Sequence, residues 1–447
     1  MSRLRWAALA AVLALAAAAC TGTDLGGDGS EDQESPRAPV PASPEPVESP
    51  AAGPGSAAAA NRRLCEIPEV DPGEGGSGVP AEGPTPPAIR QVMNELEEIR
   101  GFGFASPVVA EAVSQEEIGD DLVAFADLAY PEEQYARRSQ AWDTIGVIPD
   151  GTSLRDAYEA YGSGAVIGYY NTLDGTLKFT AEQEPTPFEL TTLAHELTHA
   201  IDDQRFGLDR LDVLGAECRD EEASAALALV EGNATFFMVR WAQTYLTVEE
   251  QVQLGLEAAS LDTTLEGVPP FVLRLESWSY DEGLRFVTAL SARGGVDEID
   301  EAFRDIPVST EQILHPERFP NDAPTPVDVP DLADELGAGW QDLDVMTVGE
   351  SWLDIALGLR LEADDAADAA AGWDGGTYRA WSNGQETAVV LSTVWDSAED
   401  ADEFAQAMTE WIGEGGEIAR VLPVDDRAVT VVFATDEPTL RSIESAA

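Results

Sequence analysis

The stretch TTLAHELTHAIDDQ, residues 191–204, contains the pattern His195-Glu196-x-x-His199. Four residues make about one helical turn, so both imidazoles would lie on one face of a helix. Two neutral imidazoles at that spacing suit a tetrahedral Zn²⁺ with Zn–N distances of about 2.0–2.1 Å. Glu196 would point about 100° away and could reach a metal-bound water without binding the metal itself. The chain has only 3 histidines, and two of them form this motif, which favours a zinc site over a chance structural pair.

A helix that carries the motif has clear predicted ends. Thr186-Pro187-Phe188-Glu189 fits a capping box with proline at the first helical position, and Gly207 is a natural stop. Apolar residues recur at helical spacing between these ends. They are Leu190, Leu193, Leu197 and Ile201. Leu197 lies two positions from each histidine, about 200° round the helix, so the apolar stripe and the histidine face are predicted to be opposed.

The motif resembles the gluzincin class of zinc metallopeptidases, in which a glutamate on the following helix completes the metal site. The candidates for that third ligand are Glu217, Glu221, Glu222 and Glu231. The first three belong to the polar run ECRDEEAS, where a carboxylate is typical of a solvated helix N-terminus.

Glu231 is the favoured third ligand, because it interrupts the apolar run AALALVEGNATFFMVRW. A buried unpaired charge is costly there, and a zinc ion would compensate it. Gly232 is unfavourable inside a helix by about 1 kcal/mol, which close backbone approach to the metal helix would explain. Glu222 is the main rival. It lies about 180° from Glu231 on one helix, so only one of the two can face the metal.

The resemblance extends along residues 160–320, through GYYNTLDGTLKF, LAHELTHAIDDQRF, ALALVEGNAT, YDEGLRFV and STEQILHPERF. In this order the segments are similar to a family of largely uncharacterised bacterial exported HExxH proteins, with a weaker similarity at AAAGWDGGTY. The resemblance implies a zinc site and leaves the substrate open.

Other residues are candidates for supporting roles. The predicted hairpin at 165–180, around Asp174-Gly175, could bind a peptide by strand addition or be purely structural. Asp203 could orient an imidazole, and Asn233 could support the Glu231 carboxylate. The candidates for stabilising a transition-state oxyanion are His315, Tyr280 and Tyr170, with structural packing as the alternative for each.

The N-terminus predicts an exported protein. Residues 1–20 combine Arg3 and Arg5 with a short apolar segment that ends in Ala-Ala-Ala-Cys20. This resembles a bacterial lipoprotein signal, which implies cleavage before Cys20, lipidation of its thiol and a position on the extracytoplasmic face of the cell membrane. Plain secretion and an uncleaved anchor are the alternatives.

Residues 21–85 are rich in Pro, Gly and Ser, and they predict a disordered tether. Two cysteines remain beyond the signal, Cys65 and Cys218. Outside the cytosol they could form a disulfide, with two unrelated buried thiols as the alternative.

The predicted fold class is α+β. A mainly helical, zincin-like metallopeptidase domain (86–330), with a β-hairpin before the HExxH helix, precedes a small C-terminal α+β domain (331–447). In the latter, the strand candidates TAVVLSTVWD and RAVTVVFATD flank the amphipathic helix SAEDADEFAQAMTEWIG. A single helical stretch is predicted before them, WLDIALGLRLEADDAADAAAGW.

The formal net charge of -59 argues against nucleic-acid partners and against electrostatic binding to anionic lipid headgroups. The sequence therefore predicts a lipid-anchored peptidase with one Zn²⁺, Glu196 as general base, and a peptide or protein substrate. The alternatives are a non-catalytic zinc-containing scaffold lipoprotein, or hydrolysis of a non-peptide amide.

Overall fold

A computed structural model describes residues 56–65, 86–114, 116–118, 121, 131–165, 168–172, 175–180, 185–259, 265 and 267–447. The predicted signal segment, Cys20 and most of the predicted tether lie outside these residues. No helix among them is both long and apolar enough to cross a membrane.

Helices make up most of the described residues up to 330 and alternate with strands beyond them. In chain order the helices are α1 (Ala57–Leu64), α2 (Pro87–Arg100), α3 (Glu132–Ile145), α4 (Leu154–Ala165), α5 (Pro187–Phe206), α6 (Asp212–Ala216), α7 (Asp220–Tyr245), α8 (Val248–Ala259), α9 (Pro270–Arg304), α10 (Thr310–Leu314), α11 (Ala333–Leu336), α12 (Glu350–Leu357), α13 (Ala363–Ala370), α14 (Ala398–Gly415) and α15 (Glu437–Ala446). Non-helical backbone at Gly294 and Gly295 divides α9 into two helical segments.

The strands form two sheets. They are β1 (Val109–Ala112), β2 (Gly168–Asn171), β3 (Thr176–Phe179), β4 (Gln341–Thr347), β5 (Trp373–Ser382), β6 (Thr387–Trp395), β7 (Ile418–Val421) and β8 (Ala428–Ala434). The first sheet has the order β1-β3-β2, with β1 parallel and β2 antiparallel to β3. The second is antiparallel with the order β4-β5-β6-β8-β7. The α+β class is thus confirmed, including the two predicted C-terminal strands and the helix between them.

The prediction of a disordered tether over 21–85 is wrong for residues 56–65. Helix α1 forms there, capped by Ser56, and its residues Ala57 and Ala60 are buried. The amide of Ala57 donates to Asp328 Oδ1 at 2.7 Å, which ties the helix to a residue far along the chain. Cys65 at its end forms a disulfide with Cys218, with a Cα–Cα distance of 6.0 Å. Composition alone hid this helix because the contacts that tie it to the rest of the protein, at Asp328 and Cys218, are long-range.

The single helix predicted within 352–373 is instead two, α12 and α13, separated by a turn. At the break Arg274 donates to the carbonyl oxygen of Gly358 at 2.6 Å. The side chain of Arg360 turns away to the carbonyl oxygen of Trp411 at 3.0 Å. The Arg274 contact satisfies a backbone carbonyl at the break, and the Arg360 contact joins the turn to α14.

The larger of two hydrophobic clusters among the described residues extends through both predicted domains. Buried apolar side chains from α2 to β8 form a contiguous cluster that crosses the predicted boundary at 330/331. Four tryptophans of the C-terminal part are buried: Trp373, Trp381, Trp395 and Trp411. The helical part and the C-terminal sheet therefore support one another directly.

Helices α7 and α9 cross in contact at two glycines. A Cβ atom on Gly232 would lie 2.0 Å from the carbonyl carbon of Gly283, and one on Gly283 would lie 2.0 Å from the carbonyl oxygen of Ala228. The sequence prediction of close backbone approach at Gly232 is correct, but the partner is α9 and not the metal helix α5. This crossing fixes the position of Glu231, the neighbour of Gly232, relative to α9.

Candidate metal centre

Helix α5, which carries the HExxH motif, has the predicted ends. Thr186 and Glu189 form the reciprocal hydrogen bonds of a capping box, and Gly207 ends the helix in the left-handed conformation, with φ 69°. His195, Glu196 and His199 lie in its buried middle. A helix held at both ends and packed around its middle fixes the side chains of the motif.

Three ligand atoms converge between α5 and α7. His195 Nε2 lies 3.1 Å from His199 Nε2 and 3.1 Å from Glu231 Oε2, and His199 Nε2 lies 3.5 Å from the same oxygen. All three residues are buried. The structure therefore brings the favoured third ligand to the two histidines.

The spacing of these atoms fits zinc. Ligands at about 2.0–2.1 Å from a tetrahedral ion are about 3.3–3.4 Å apart, which is close to the three observed separations. Among the described residues this is the group of His, Cys, Asp and Glu side chains that could hold a metal, and it has three members. Three protein ligands with a fourth position left to solvent are typical of catalytic zinc sites, whereas structural sites have four.

The electrostatics of the group also suit a cation. Burial raises the pKa of Glu231, but His199 and His195 outweigh it and lower that pKa to about 2. Burial lowers the pKa of His195. It also lowers the pKa of His199, but Glu231 and Glu196 outweigh it and raise that pKa to about 9. The metal-free site thus holds a proton beside an anionic Glu231, and a metal ion binding there would displace it.

Glu196 lies beside the three candidate ligands, and its two carboxylate oxygens have different surroundings. Its Oε2 accepts a hydrogen bond from the backbone N–H of Tyr170 at 2.9 Å. Its Oε1 is buried and has no hydrogen-bond partner within the described part of the chain. Burial raises the pKa of Glu196 to about 8, which makes its carboxylate an effective proton acceptor near neutral pH.

A small cleft between the hairpin and α5 reaches Glu196. It is lined by Gly168, Phe179, Thr180, Pro185, Glu189, Thr192, Leu193 and Glu196. Strand β2 is an edge of its sheet, and the hairpin that it forms with β3 was predicted from sequence. The N–H of Tyr170 points away from β3 towards α5, so the outer edge of β2 faces the candidate site.

The other three candidates for the third ligand lie elsewhere. Glu221 accepts hydrogen bonds from the backbone N–H and the hydroxyl of Thr310, at 2.5 and 2.8 Å. Glu222 forms an ion pair with Arg219, and Glu217 lies 3.7 Å from the same guanidinium. The rival Glu222 is therefore already paired with Arg219, the residue that precedes α7.

The candidates for oxyanion stabilisation fall in different places. The ring of Tyr280 stacks on His195, with 6.1 Å between centroids. Tyr170 contacts Glu196 through its backbone, while its hydroxyl donates to Asp203 at 3.0 Å. Tyr280 is thus the candidate whose side chain lies against a proposed ligand.

His315 lies beside Glu350 and is not one of the three converging side chains. Its Nε2 lies 2.9 Å from Glu350 Oε1, and the Glu350 charge contributes to the raised pKa of Glu221 at the N-terminal end of α7. Ten residues, about 15 Å of helix, separate Glu221 from Glu231. Glu350 thus interacts with the N-terminal end of α7, whereas Glu231 lies further along that helix, and the oxyanion role of His315 stays a prediction.

The predicted supporting residues have other partners. Asp203 binds the Tyr170 hydroxyl and the backbone N–H of Leu208, the latter at 2.8 Å. Asn233 donates to Asp202 Oδ2 at 2.5 Å, and not to Glu231. Asp202, which the sequence analysis did not select, lies one turn after His199 and its charge contributes to the raised pKa of His199. Residues three or four apart share a face of a helix, so the spacing argument that paired the histidines also predicts that Asp202 lies near His199.

A buried ionic network around Asp202 joins four helices. Arg100 on α2 donates to Asp202 on α5 at 2.8 Å and to Asp300 on α9 at 2.6 Å. Asn233 links Asp202 to α7. The guanidinium of Arg100 is fully buried, over the rings of Phe102, Phe237 and Phe206. No local sequence signal connects residues so far apart in the chain.

We expect Arg100→Met to destabilise the metal-free protein by about 3–5 kcal/mol at neutral pH, because it removes the buried cation that pairs with both Asp202 and Asp300. Burial already raises the pKa of Asp202 to about 6 even though Arg100 opposes the shift. A group with a raised folded-state pKa stabilises the fold at low pH and loses that contribution as pH rises. The deficit, measured by urea unfolding, should therefore be larger at pH 8 than at pH 5.

The matched control for this variant is Arg304→Met. Arg304 lies 4.0 Å from Asp300 but is 35% exposed, so its loss should cost less than about 1 kcal/mol. Equal costs for the two variants, or a deficit for Arg100→Met that shrinks as pH rises, would contradict the role of the network.

Comparisons with known proteins add little about activity. Residues 341–444 match the model of a domain of unknown function, DUF8575, which lies within the predicted C-terminal domain. A search of curated proteins returns no match to the sequence. A solved structure with similarity to the chain is a candidate hydrolase with a novel fold from Chloroflexus aurantiacus, at 16% identity and a TM-score of 0.35. The match covers 59% of this chain and 95% of the other chain. A TM-score this low does not establish a shared fold or a shared activity.

Proposed function

We propose that the protein is a zinc-dependent peptidase of the gluzincin type, with a zincin-like arrangement of strand, HExxH helix and glutamate-bearing helix. The observation that carries the proposal is the near-tetrahedral spacing of the two imidazole nitrogens and the Glu231 oxygen, at 3.1, 3.1 and 3.5 Å. Glu196, with one unpartnered oxygen, lies beside them.

The residues have distinct roles in this reaction. His195, His199 and Glu231 would hold the ion, and a bound zinc would supply the Lewis acidity that polarises a scissile carbonyl and lowers the pKa of water. Glu196 accepts the proton of the attacking water and delivers it to the leaving amine. The backbone N–H of Tyr170 holds the second oxygen of Glu196 and so orients the base.

The position of β2 supports an extended peptide as the substrate. Tyr170 and Gly168 are two apart on β2, so their backbone groups point to the same edge of the strand, the edge away from β3. A peptide added along that edge would pass Glu196, because Gly168 and Glu196 line the same cleft. This supports a peptide or protein substrate.

We also propose that the protein is anchored on the extracytoplasmic face of the cell membrane through a lipid on Cys20. The Cys65–Cys218 disulfide supports an oxidising compartment. Labelled palmitate should be incorporated into the wild-type protein expressed in a bacterial host and not into Cys20→Ala. Equal labelling, or none in either protein, would contradict the anchor.

The purified protein tests the catalytic proposal. We expect one equivalent of zinc per chain and hydrolysis of unstructured peptides that a chelator abolishes and added zinc restores. A chain without zinc would overturn the proposal. One zinc with four protein ligands and no turnover would instead support a scaffold lipoprotein with a structural metal.

A further inference from the structure

Glu276 is a buried carboxyl group that the proposed reaction does not use. It lies on α9, is 8% exposed, and its Oε2 has no hydrogen-bond partner among the described residues. Its neighbour Ser279 donates to the Glu276 backbone carbonyl and not to the carboxyl group. An unsatisfied buried carboxyl is costly, and such a group is typical of a site that a ligand completes.

The helix crossing places Glu276 next to the candidate metal centre. Glu276 is one turn before Tyr280, whose ring stacks on His195, and two turns before Gly283, which contacts Gly232. Burial raises the pKa of Glu276 to about 8, and the charge of Glu231 adds to that rise. The two carboxyl groups are thus near enough to interact, although Glu276 is not one of the three converging ligands.

The surroundings of Glu276 suit a small cation. Tyr161 of α4 lies on the same side, and its pKa is raised by burial, by Glu276 and by Glu231. A second metal ion is not favoured, because the described residues bring together a single group of three metal-binding side chains. The alternative to a second metal ion is a cationic group of the substrate. An ammonium group can donate a hydrogen bond to Oε2 of Glu276.

We propose that Glu276 binds the free α-ammonium group of the N-terminal residue of a peptide substrate, so that the site removes N-terminal residues. This rests on the proposed peptidase function and specifies its substrate class. The ammonium donates to Glu276 Oε2 while the adjacent carbonyl group faces the metal centre. The burial of His195, Glu231 and Glu276 supports it, because a closed site admits a chain end more readily than the middle of a chain.

Binding of hydroxamates to the zinc-loaded protein tests the proposal without turnover. Leucine hydroxamate carries the free amine, and N-acetyl-leucine hydroxamate lacks its charge. By calorimetry, the wild-type protein should bind the free amine roughly 10- to 100-fold more tightly, as expected for a charged hydrogen bond. In Glu276→Gln that preference should fall to near unity, with zinc content unchanged.

The control is Glu301→Gln, a change at a 70% exposed side chain on the same helix, which should keep the wild-type preference. Equal binding of the two hydroxamates by the wild-type protein overturns the proposal even if Glu276→Gln fails to fold. So does a preference that survives in a folded Glu276→Gln protein. A second equivalent of zinc that Glu276→Gln removes would assign the carboxyl group to a metal and also overturn it.

N-acetyl-lysine hydroxamate distinguishes binding of an α-ammonium group from binding of the ammonium group of a lysine side chain. Weak binding of this probe supports recognition of the α-amino group, whereas binding as tight as that of leucine hydroxamate would assign Glu276 to a lysine side chain and contradict the proposal. Failure of the proposed peptidase function can be distinguished from failure of the proposed ammonium site. A protein that binds zinc and prefers the free amine but hydrolyses no peptide retains the ammonium site and loses the proposed activity.

Discussion

Replacing Glu196 with glutamine is expected to lower the kcat of peptide hydrolysis by about 10²–10⁴-fold while leaving one zinc bound per chain. Glutamine keeps the shape of the side chain and can still accept the hydrogen bond from the Tyr170 N–H, but it cannot take a proton from water. The histidines and Glu231 are unchanged, so metal content and the unfolding temperature should stay near wild-type values. Parallel measurement of zinc content and steady-state kinetics tests this.

The control for this variant is Glu217→Gln, because the Glu217 side chain is 53% exposed and away from the three ligands. It should retain wild-type activity. An active Glu196→Gln protein would remove Glu196 from the role of base. Loss of zinc from Glu196→Gln would instead mean that Glu196 helps to hold the metal.

Replacing Glu231 with glutamine is expected to weaken zinc binding by more than the roughly 10- to 100-fold that is typical of losing a residue behind a ligand. Glu231 is anionic at neutral pH, because its pKa is held at about 2 once His199 and His195 outweigh its burial. The variant loses both a charge and a ligand atom, so activity should be lost with the metal. Competition with a zinc-binding dye gives the change in affinity.

Glu222→Gln is the matched control, since Glu222 lies on the same helix and was the rival third ligand. Its carboxylate forms an ion pair with Arg219, so the variant should bind zinc like the wild-type protein. The reverse outcome, with zinc lost from Glu222→Gln and retained by Glu231→Gln, would reject the assignment of Glu231.

The metal helix could be predicted because its signals are local. The capping box at Thr186, the stop at Gly207 and the one-turn spacing of the histidines are all short-range features. Glu231 could be predicted for a different reason. A carboxylate inside an apolar helix must find a compensating cation, and that argument needs only the neighbouring residues.

The rest of the site depends on contacts that no local pattern reveals. Arg100 lies about a hundred residues before Asp202 and two hundred before Asp300, yet it joins both. Glu276 looks like an ordinary polar position in RLESWSY until the Gly232–Gly283 crossing places it beside Glu231. Helix α1 was likewise hidden, because its stability comes from the C-terminal part of the chain and the disulfide.

The central claim is that His195, His199 and Glu231 hold one zinc ion with a fourth position open to substrate. Anomalous diffraction at the zinc edge, from crystals of the zinc-loaded wild-type protein, tests it most directly. The account predicts one peak at about 2.0–2.2 Å from His195 Nε2, His199 Nε2 and a Glu231 oxygen, with water as the remaining ligand. A peak coordinated by Glu222, a fourth protein ligand on the metal, or no peak at this position would contradict it.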